Sequence, residues 1–234
     1  ANEYYAATVR SMLTSWHNFF YAAFDPGGFV TVDKPPVGFW LQALSAKLFG
    51  FHGWSLLLPQ ALAGVLSVAL LYWLVRRVWG PLAALVAALA LAVTPISVVT
   101  NRNNTIDSLL VLTLLGAAWA VLRAVESGRH PLRWLLLGAA LVGLGFNIKM
   151  LEAYLALPAL WLAYLVAARS RPLARIAQLA LATVVMLAVS LSWAVAVDLT
   201  PAEQRPYVGS SQTNSVLELA FGYNGLQRLF GRAF

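Results

Sequence analysis

Long apolar runs that contain very few charged residues restrict this chain's fold more than any other feature. Of the 234 residues, 60% are hydrophobic and only 11% are charged, and the mean hydropathy is +0.73. A soluble domain normally has about a quarter charged residues and under half apolar ones. Because about 20 apolar residues span a bilayer as a helix, the sequence predicts an all-α fold, a polytopic membrane helix bundle.

Six membrane-spanning helices can be placed along the chain. They run over residues 54–75, 82–99, 106–122, 132–148, 153–167 and 176–197, and the fifth is short. Three of them contain an internal proline, namely Pro59, Pro95 and Pro158. Membrane helices tolerate such prolines when neighbouring helices satisfy the freed carbonyl groups.

Arginine residues are concentrated in the turns that follow the first, third and fifth predicted spans. Only Glu126 opposes them, so the positive-inside rule predicts that these turns are cytoplasmic. The opposite, outer face then carries eight of the nine acidic residues, which fits either ordinary solvated loops or an active site. The arginines are Arg76, Arg77, Arg123, Arg129, Arg133, Arg169, Arg171 and Arg175, and the acids are Glu3, Asp25, Asp33, Asp107, Glu152, Asp198, Glu203 and Glu218.

Three regions follow from this topology. Residues 1–50 form a first outer loop whose many aromatic side chains favour amphipathic helices at the headgroup level. Residues 51–198 form the transmembrane bundle, and residues 199–234 form an outer loop after the last span. The chain begins at Ala1 without an initiator methionine and opens in a polar, aromatic segment, so we expect a piece of a longer protein that lacks its first membrane helix.

Three short polar clusters lie on the predicted outer face, at residues 2–5, 33–36 and 101–107. In the third cluster, Asp107 opens a span, where a carboxylate stabilises the helix dipole. That alone would explain the residue as part of a capped helix. However, Arg102 beside three asparagines offers donors suited to phosphate or sugar hydroxyls, and ionisable groups at membrane depth are usually functional.

The other two clusters carry a cation and a carboxylate. Two prolines after Lys34 favour an extended backbone there, so its ammonium is either half of a surface pair with Asp33 or part of a phosphate clamp. Glu3 in the first cluster is by itself weak evidence of a functional site. Lys149 and Glu152, three residues apart on a helix, form a structural pair or line the same cavity.

Several functions are disfavoured by what the sequence contains. Without cysteine there is no disulfide framework, zinc-thiolate site or cysteine nucleophile. The three histidines, His17, His52 and His130, have no spacing typical of a metal site. No glycine-rich phosphate loop indicates a nucleotide. The net charge is +7, but the basic residues are scattered between apolar segments and form no cluster, so no nucleic acid partner is expected.

The order and spacing of the motifs resemble those of bacterial membrane glycosyltransferases of family 39, within the GT-C superfamily. Relatives in that group include protein O-mannosyltransferases and the transferases that attach aminoarabinose to lipid A. The resemblance covers essentially the whole chain. It is carried by residues 1–7, 31–36, 54–62, 102–107, 145–151, 205–210, 214–216 and 222–226.

The resemblance implies a helix bundle that takes a sugar from a polyprenyl phosphate on the outer side of the membrane. Family members usually have an acidic pair where this chain has Asn2 and Glu3, so the catalytic base is either Glu3 or Asp107. The matching Lys34 and Arg102 would engage the lipid phosphate. The candidate substrate-binding residues are Asn2, Tyr4, Asp33, Lys34, Arg102, Asn103, Asn104 and Lys149.

We therefore expect an integral glycosyltransferase of the bacterial plasma membrane whose active site faces outside. It would move a hexose or pentose from a polyprenyl-phosphate donor to a hydroxyl of a protein, a lipid or a cell-wall polymer. Carboxylates without an evident second nucleophile favour direct displacement with inversion. The resemblance leaves a divalent metal open as a cofactor. Two alternatives are a transporter or flippase of lipid-linked sugars and a non-catalytic membrane scaffold.

Overall fold

Helices make up most of the part of the chain that this computed structural model describes, residues 2–127 and 130–226. Apart from the helices, the described residues contain two isolated β-bridges, Ala23 with Thr31 and Val30 with Tyr207. Residue 1, Arg129 and the end of the predicted outer loop, 227–234, lie outside the described residues. The α-helices are α1 (Glu3–Met12), α2 (Trp16–Tyr21), α3 (Val37–Phe49), α4 (Gly53–Val93), α5 (Pro95–Asn101), α6 (Asp107–Glu126), α7 (Pro131–Lys149), α8 (Leu157–Ala167), α9 (Pro172–Asp198) and α10 (Val216–Phe221). Short 3₁₀ segments cover Met150–Ala156 and Ala202–Gln204, and a π-helical turn covers Gly222–Leu226.

α4 is a hairpin of two helical arms that reverses at Gly80. The backbone of Gly80 has φ 81° and ψ 178°, a conformation that only glycine adopts readily. Ser67 before this turn and Leu91 after it line the same cavity, which requires the arms to run back along each other. The first two predicted spans are therefore confirmed as the two arms of α4.

The predicted second span is wrong at its end. It was placed to residue 99, but the helix ends at Val93, and α5 begins at Pro95. Thr94 lies before that proline and has ψ 122°, because a following proline disfavours the helical conformation. As a result α5 is a separate short helix that carries the chain into the third polar cluster.

A second reversal joins α7 to α8 at Met150, which has φ 53°. Leu135 near the start of α7 and Tyr164 near the end of α8 lie in one buried cluster, so α8 returns to the end of the bundle at which α7 begins. The predicted fifth span, 153–167, is not a single α-helix, because its first turn belongs to the 3₁₀ segment Met150–Ala156. The other predicted spans, 106–122, 132–148 and 176–197, correspond to α6, α7 and α9.

Four helical stretches in the described residues are long and apolar enough to cross a membrane: Gly53–Val93, Asp107–Glu126, Pro131–Ala167 and Pro172–Asp198. Two of them contain the reversals at Gly80 and Met150, so they hold two predicted spans each. The polytopic helical bundle predicted from hydropathy is confirmed. Its centre is α7, which packs between α6 and α9. At Gly143 a Cβ atom would lie 2.7 Å from the carbonyl oxygen of Met186, an approach that small residues allow between membrane helices.

The short helices α1 to α3 form a layer over one end of the bundle. Phe39 and Val9 are fully buried there and pack with Ile106 from the third cluster. The indole nitrogen of Trp40 donates to the carbonyl oxygen of Phe19 at 2.7 Å. The indole of Trp193 in α9 donates to the carbonyl oxygen of Phe20 at 3.1 Å. This layer holds the first two polar clusters against the third.

Arginine side chains gather at the opposite end of the bundle. Arg77 in α4 forms an ion pair with Glu126 at the end of α6, and Arg123 lies 5.9 Å from the ring of Trp73. Arg175 donates to the carbonyl oxygen of Leu165 at 2.8 Å. The described arginine turns thus lie at one end of the molecule, as the sequence pattern requires. Which end faces the cytoplasm stays a prediction.

Candidate functional site

The first and third polar clusters are joined by the side chain of Asn104. Its Oδ1 accepts a hydrogen bond from the backbone nitrogen of Asn2 at 2.6 Å, and its Nδ2 donates to the Asn2 carbonyl oxygen at 2.8 Å. Gln42 in α3 donates to the Asn104 carbonyl oxygen at 2.9 Å. Asn104 is fully buried, and its amide is used to fix the start of α1. Its role in substrate binding stays a prediction.

The hydrogen bonds between Asn2 and Asn104 fix the position of the first turn of α1. Asn2 caps α1 by accepting from the backbone nitrogen of Tyr5 at 3.2 Å, and Glu3 lies exposed in the first helical turn. Partial burial of the Tyr4 phenol and the nearby Asp33 carboxylate raise the Tyr4 pKa to about 12. Tyr4 therefore connects the first cluster to the second.

Lys34 is the most buried cation of the described chain, with 3% of its side chain exposed. Its ammonium donates to the Asp33 carboxylate at 2.9 Å and to Asn224 Oδ1 at 2.6 Å. It also lies 5.3 Å from the centre of the Tyr223 ring. The other carboxylate oxygen of Asp33 is buried and has no hydrogen-bond partner among the described residues. Burying an ammonium is costly unless it is paired and hydrogen-bonded, so the Lys34 ammonium depends on these partners to remain buried.

Asn224 and Tyr223 were not among the predicted site residues. Asn224 donates to the Asp33 carbonyl oxygen at 2.9 Å and contacts the Met150 sulfur at 3.1 Å. The side chain is buried, so it fixes the position of the second cluster from the far end of the chain. The signal that could have identified both residues was the family-like segment 222–226.

A second charged group surrounds Lys149 at the end of α7. Its ammonium lies 2.5 Å from an Asp107 carboxylate oxygen and 2.8 Å from Glu152. Glu152 had been interpreted mainly as a structural partner and was not included in the predicted site. Lys149 contacts Asp107 at the start of α6 and Glu152 just after the reversal at Met150. Asp107 and Lys149 thus form an ion pair at the start of α6.

The two charged groups are connected through Met150. Lys34 contacts Asn224, Asn224 contacts Met150, and Met150 follows Lys149 in the chain. A non-glycine residue with positive φ costs about 1–2 kcal/mol, which the surrounding packing must offset. We expect this strained residue to set the spacing between the two ammonium groups.

Arg102 and Asn103 are placed differently from the other predicted residues. Arg102 is exposed at the end of α5, and its guanidinium has no hydrogen bond or ion pair within the described ranges. Asn103 accepts a hydrogen bond from the backbone nitrogen of Asn104 at 2.8 Å. No contact of the described residues joins Arg102 to Lys34, so a shared phosphate role for them stays a prediction.

The chemistry available at this site is that of paired carboxylates and ammonium groups. In the part of the chain that the structure describes, no three His, Asp or Glu side chains are grouped to hold a metal ion. Ammonium groups can hold a phosphate, and a carboxylate can accept a proton from a hydroxyl. This combination fits the transfer of a group from a phosphate to an oxygen.

Comparison with known proteins places the chain among membrane-bound sugar transferases. Residues 33–193 match the family described as dolichyl-phosphate-mannose-protein mannosyltransferase. Two Bacillus subtilis proteins, "Putative mannosyltransferase YycA" and "Putative mannosyltransferase YkcB", are 57% and 55% identical over 99% of this chain. An undecaprenyl phosphate-alpha-4-amino-4-deoxy-L-arabinose arabinosyl transferase from Pseudomonas paraeruginosa is 34% identical over 70% of the chain and 30% of its own length.

A solved structure has the same arrangement of helices. ArnT from Cupriavidus metallidurans, bound to undecaprenyl phosphate, superposes with a TM-score of 0.63 and 28% sequence identity, covering 83% of this chain and 36% of ArnT. This chain spans about a third of the two Bacillus subtilis relatives, 34% and 32% of their lengths. The comparisons thus agree on one family and on one fold.

Proposed function

The chain belongs to the dolichyl-phosphate-mannose-protein mannosyltransferase family of GT-C glycosyltransferases, and on that premise we propose that it supplies the donor-phosphate and acid–base groups for sugar transfer from a polyprenyl phosphate. The acceptor is a hydroxyl group at the outer face of the plasma membrane. The site's polar groups lie at the end of the bundle opposite the arginine turns, which supports this orientation.

The buried ammonium of Lys34 is the observation that carries the proposal. Its partners Asp33 and Asn224 hold it in one position, so it can meet a phosphate without first being ordered. The relative ArnT was solved bound to undecaprenyl phosphate, which supports the same class of carrier here. A lipid phosphate has a tail that enters sideways from the bilayer, which suits a site at the end of membrane helices.

We assign the role of base to Asp107, with Glu3 as the alternative. The acceptor oxygen attacks the anomeric carbon and gives its proton to the Asp107 carboxylate. The bond between that carbon and the phosphate oxygen breaks, and its electron pair leaves with the polyprenyl phosphate. Lys34 stabilises the charge that develops on the phosphate. A single displacement of this kind inverts the anomeric configuration.

Transfer can be measured with the full-length protein in vesicles, using radiolabelled polyprenyl-phosphate sugars and membrane acceptors. Lys34→Ala is expected to raise the donor KM by about 10- to 100-fold, the effect of losing a charged hydrogen bond. Arg77→Ala, at the arginine end, is the matched control and should leave the donor KM unchanged. An unaltered donor KM in Lys34→Ala would remove this residue from the phosphate role.

The base is identified by two neutral substitutions in the same assay. Asp107→Asn is expected to lower kcat by about 100-fold or more, as is usual when a positioned base is lost, whereas Glu3→Gln should be mild. The reverse result would assign the base to Glu3. A product that retains the anomeric configuration would contradict direct displacement. Label that crosses the bilayer still attached to its lipid would indicate a flippase instead.

A further inference from the structure

A cavity of about 270 Å³ lies beside Asp107, and Lys149 is not among its lining residues. It is enclosed by the two arms of α4, by α5 and by the start of α6. Its volume is near the lower limit of small-molecule pockets, about 300 Å³. The lining residues are Gly64, Ser67, Leu91, Thr94, Ile96, Ser97, Thr100, Asn101, Asp107, Ser108 and Val111.

The polar groups in this cavity are hydroxyls, one amide and one carboxylate. Ser108 is 3% exposed, and its hydroxyl is buried with no hydrogen-bond partner among the described residues. A buried polar atom is normally paired, so this hydroxyl is available to a ligand. Within the described ranges, no Lys or Arg lines the cavity, and Asp107 contributes a negative charge. An anionic headgroup is therefore disfavoured, and an uncharged polyol is favoured.

The position of the cavity along α4 puts it at the depth of the membrane. Ser67 is separated from the turn at Gly80 by roughly 20 Å of helix, which is within a hydrocarbon layer of about 30 Å. Ile96 and Val111 give the cavity an apolar wall, and 67% and 41% of these side chains are exposed within the described residues. An acceptor carried by a membrane lipid is already at this depth. A protein segment or a cell-wall polymer would have to leave water to reach it.

Asp107 belongs both to the lining of this cavity and to the charged group around Lys149. Its carboxylate contacts Lys149, and Lys149 connects through Met150 and Asn224 to Lys34. A hydroxyl held in the cavity would thus lie next to the proposed base, which could accept its proton.

We infer that this cavity receives the uncharged, hydroxyl-bearing headgroup of a membrane lipid, which is the acceptor; the inference rests on the proposed function. The lipid hydroxyl donates its proton to Asp107, its oxygen forms the new bond to the anomeric carbon, and polyprenyl phosphate leaves. The products are a glycosylated lipid and the free carrier phosphate.

The test uses the full-length protein in phosphatidylcholine vesicles with radiolabelled polyprenyl-phosphate mannose. Three acceptors are compared: diacylglycerol, phosphatidylglycerol and a serine- and threonine-rich peptide. Label should move into diacylglycerol, with little in phosphatidylglycerol or the peptide. Transfer mainly to the peptide or to phosphatidylglycerol would overturn the acceptor inference and leave the proposed function standing. Absence of transfer to diacylglycerol would overturn the acceptor inference, whereas absence of transfer to any acceptor in complete bacterial membranes would overturn the proposed function.

Two variants test whether the acceptor uses this cavity. Val111→Phe narrows the exposed wall and should reduce transfer to diacylglycerol by about tenfold or more. Val86→Phe is the matched control. Val86 is an exposed residue of α4 that does not line the cavity, so this variant should leave the rate unchanged. Ser108→Ala should raise the acceptor KM by about three- to tenfold, with the donor KM unchanged. Wild-type kinetics in both Val111→Phe and Ser108→Ala would overturn the assignment.

Discussion

Lys34 and Asp33 form a pair whose two charges depend on each other. The ammonium and the carboxylate lie 2.9 Å apart, with 3% and 14% of their side chains exposed. Replacing one partner leaves the other charge buried, which costs about 3–5 kcal/mol, whereas replacing both by neutral groups is often nearly neutral. The pair therefore serves the position of the cation more than the stability of the fold.

Lys34→Met should accordingly lower the free energy of unfolding more than the double variant Asp33→Asn with Lys34→Met. The reason is that the single variant leaves the Asp33 carboxylate buried without its cation, whereas the double variant removes this carboxylate as well. Unfolding in mixed detergent micelles, followed by circular dichroism, gives the comparison. Arg77→Met, which breaks an exposed pair with Glu126, should change stability by less than about 1 kcal/mol. Equal destabilisation by the single and double variants would contradict this account.

The Tyr4 phenol should lose its proton at an unusually high pH. Its pKa is raised from 10.0 to about 12, first by burial of the phenol and then by the Asp33 carboxylate. Because the folded state favours the neutral phenol, Tyr4 contributes stability that is complete below pH 10 and is lost as the pH rises towards 12. The difference in phenolate absorbance between the wild-type protein and Tyr4→Phe should appear near pH 12, and Asp33→Asn should move it lower. Ionisation near pH 10 would show that the phenol is solvated.

At the scale of elements, the two reversals at Gly80 and Met150 determine how the spans stack. Gly80 is the simpler to test, because a Cβ atom there would meet nothing within 4 Å. Any cost of Gly80→Ala must then come from the backbone, since φ 81° with ψ 178° is essentially restricted to glycine. We expect Gly80→Ala to lower the free energy of unfolding by about 1–3 kcal/mol.

Gly53 provides the control for that experiment. A Cβ atom there also meets nothing within 4 Å, and its φ is outside the left-handed region. Gly53→Ala should therefore be neutral or slightly stabilising. Equal unfolding free energies for the two alanine variants would mean that the turn at Gly80 relaxes into another conformation.

Hydropathy predicted the positions of the helices well, but it did not predict the backbone conformation at their interruptions. The apolar runs located α6, α7 and α9 because a span needs only length and composition. The break between the fourth and fifth predicted spans was placed correctly, but the reversal at Met150 was not predicted, because a single positive φ in a non-glycine residue leaves no trace in composition. The break after Val93 could have been read from Pro95, which restricts the residue before it.

For the whole molecule, the site is assembled from segments that no local pattern connects. Lys34 and Asn224 are 190 residues apart in sequence and 2.6 Å apart in space, and Asn2 and Asn104 are 102 residues apart. The sequence could identify polar clusters on one face, because charge asymmetry is visible along the chain. It could not give their partners, since those depend on how α1 to α3 lie over the bundle.

The orientation of the whole molecule can be tested with cysteine labelling, because this chain contains no cysteine. Glu203 is exposed near the polar end of the bundle, and Arg171 is exposed at the arginine end. With the arginine turns in the cytoplasm, Glu203→Cys in the full-length protein should react with a membrane-impermeant maleimide in intact spheroplasts. Arg171→Cys should react only after permeabilisation, and the parent protein gives the background. Labelling of Arg171→Cys in intact spheroplasts, with Glu203→Cys protected, would invert the topology and move the proposed transfer to the cytoplasmic face.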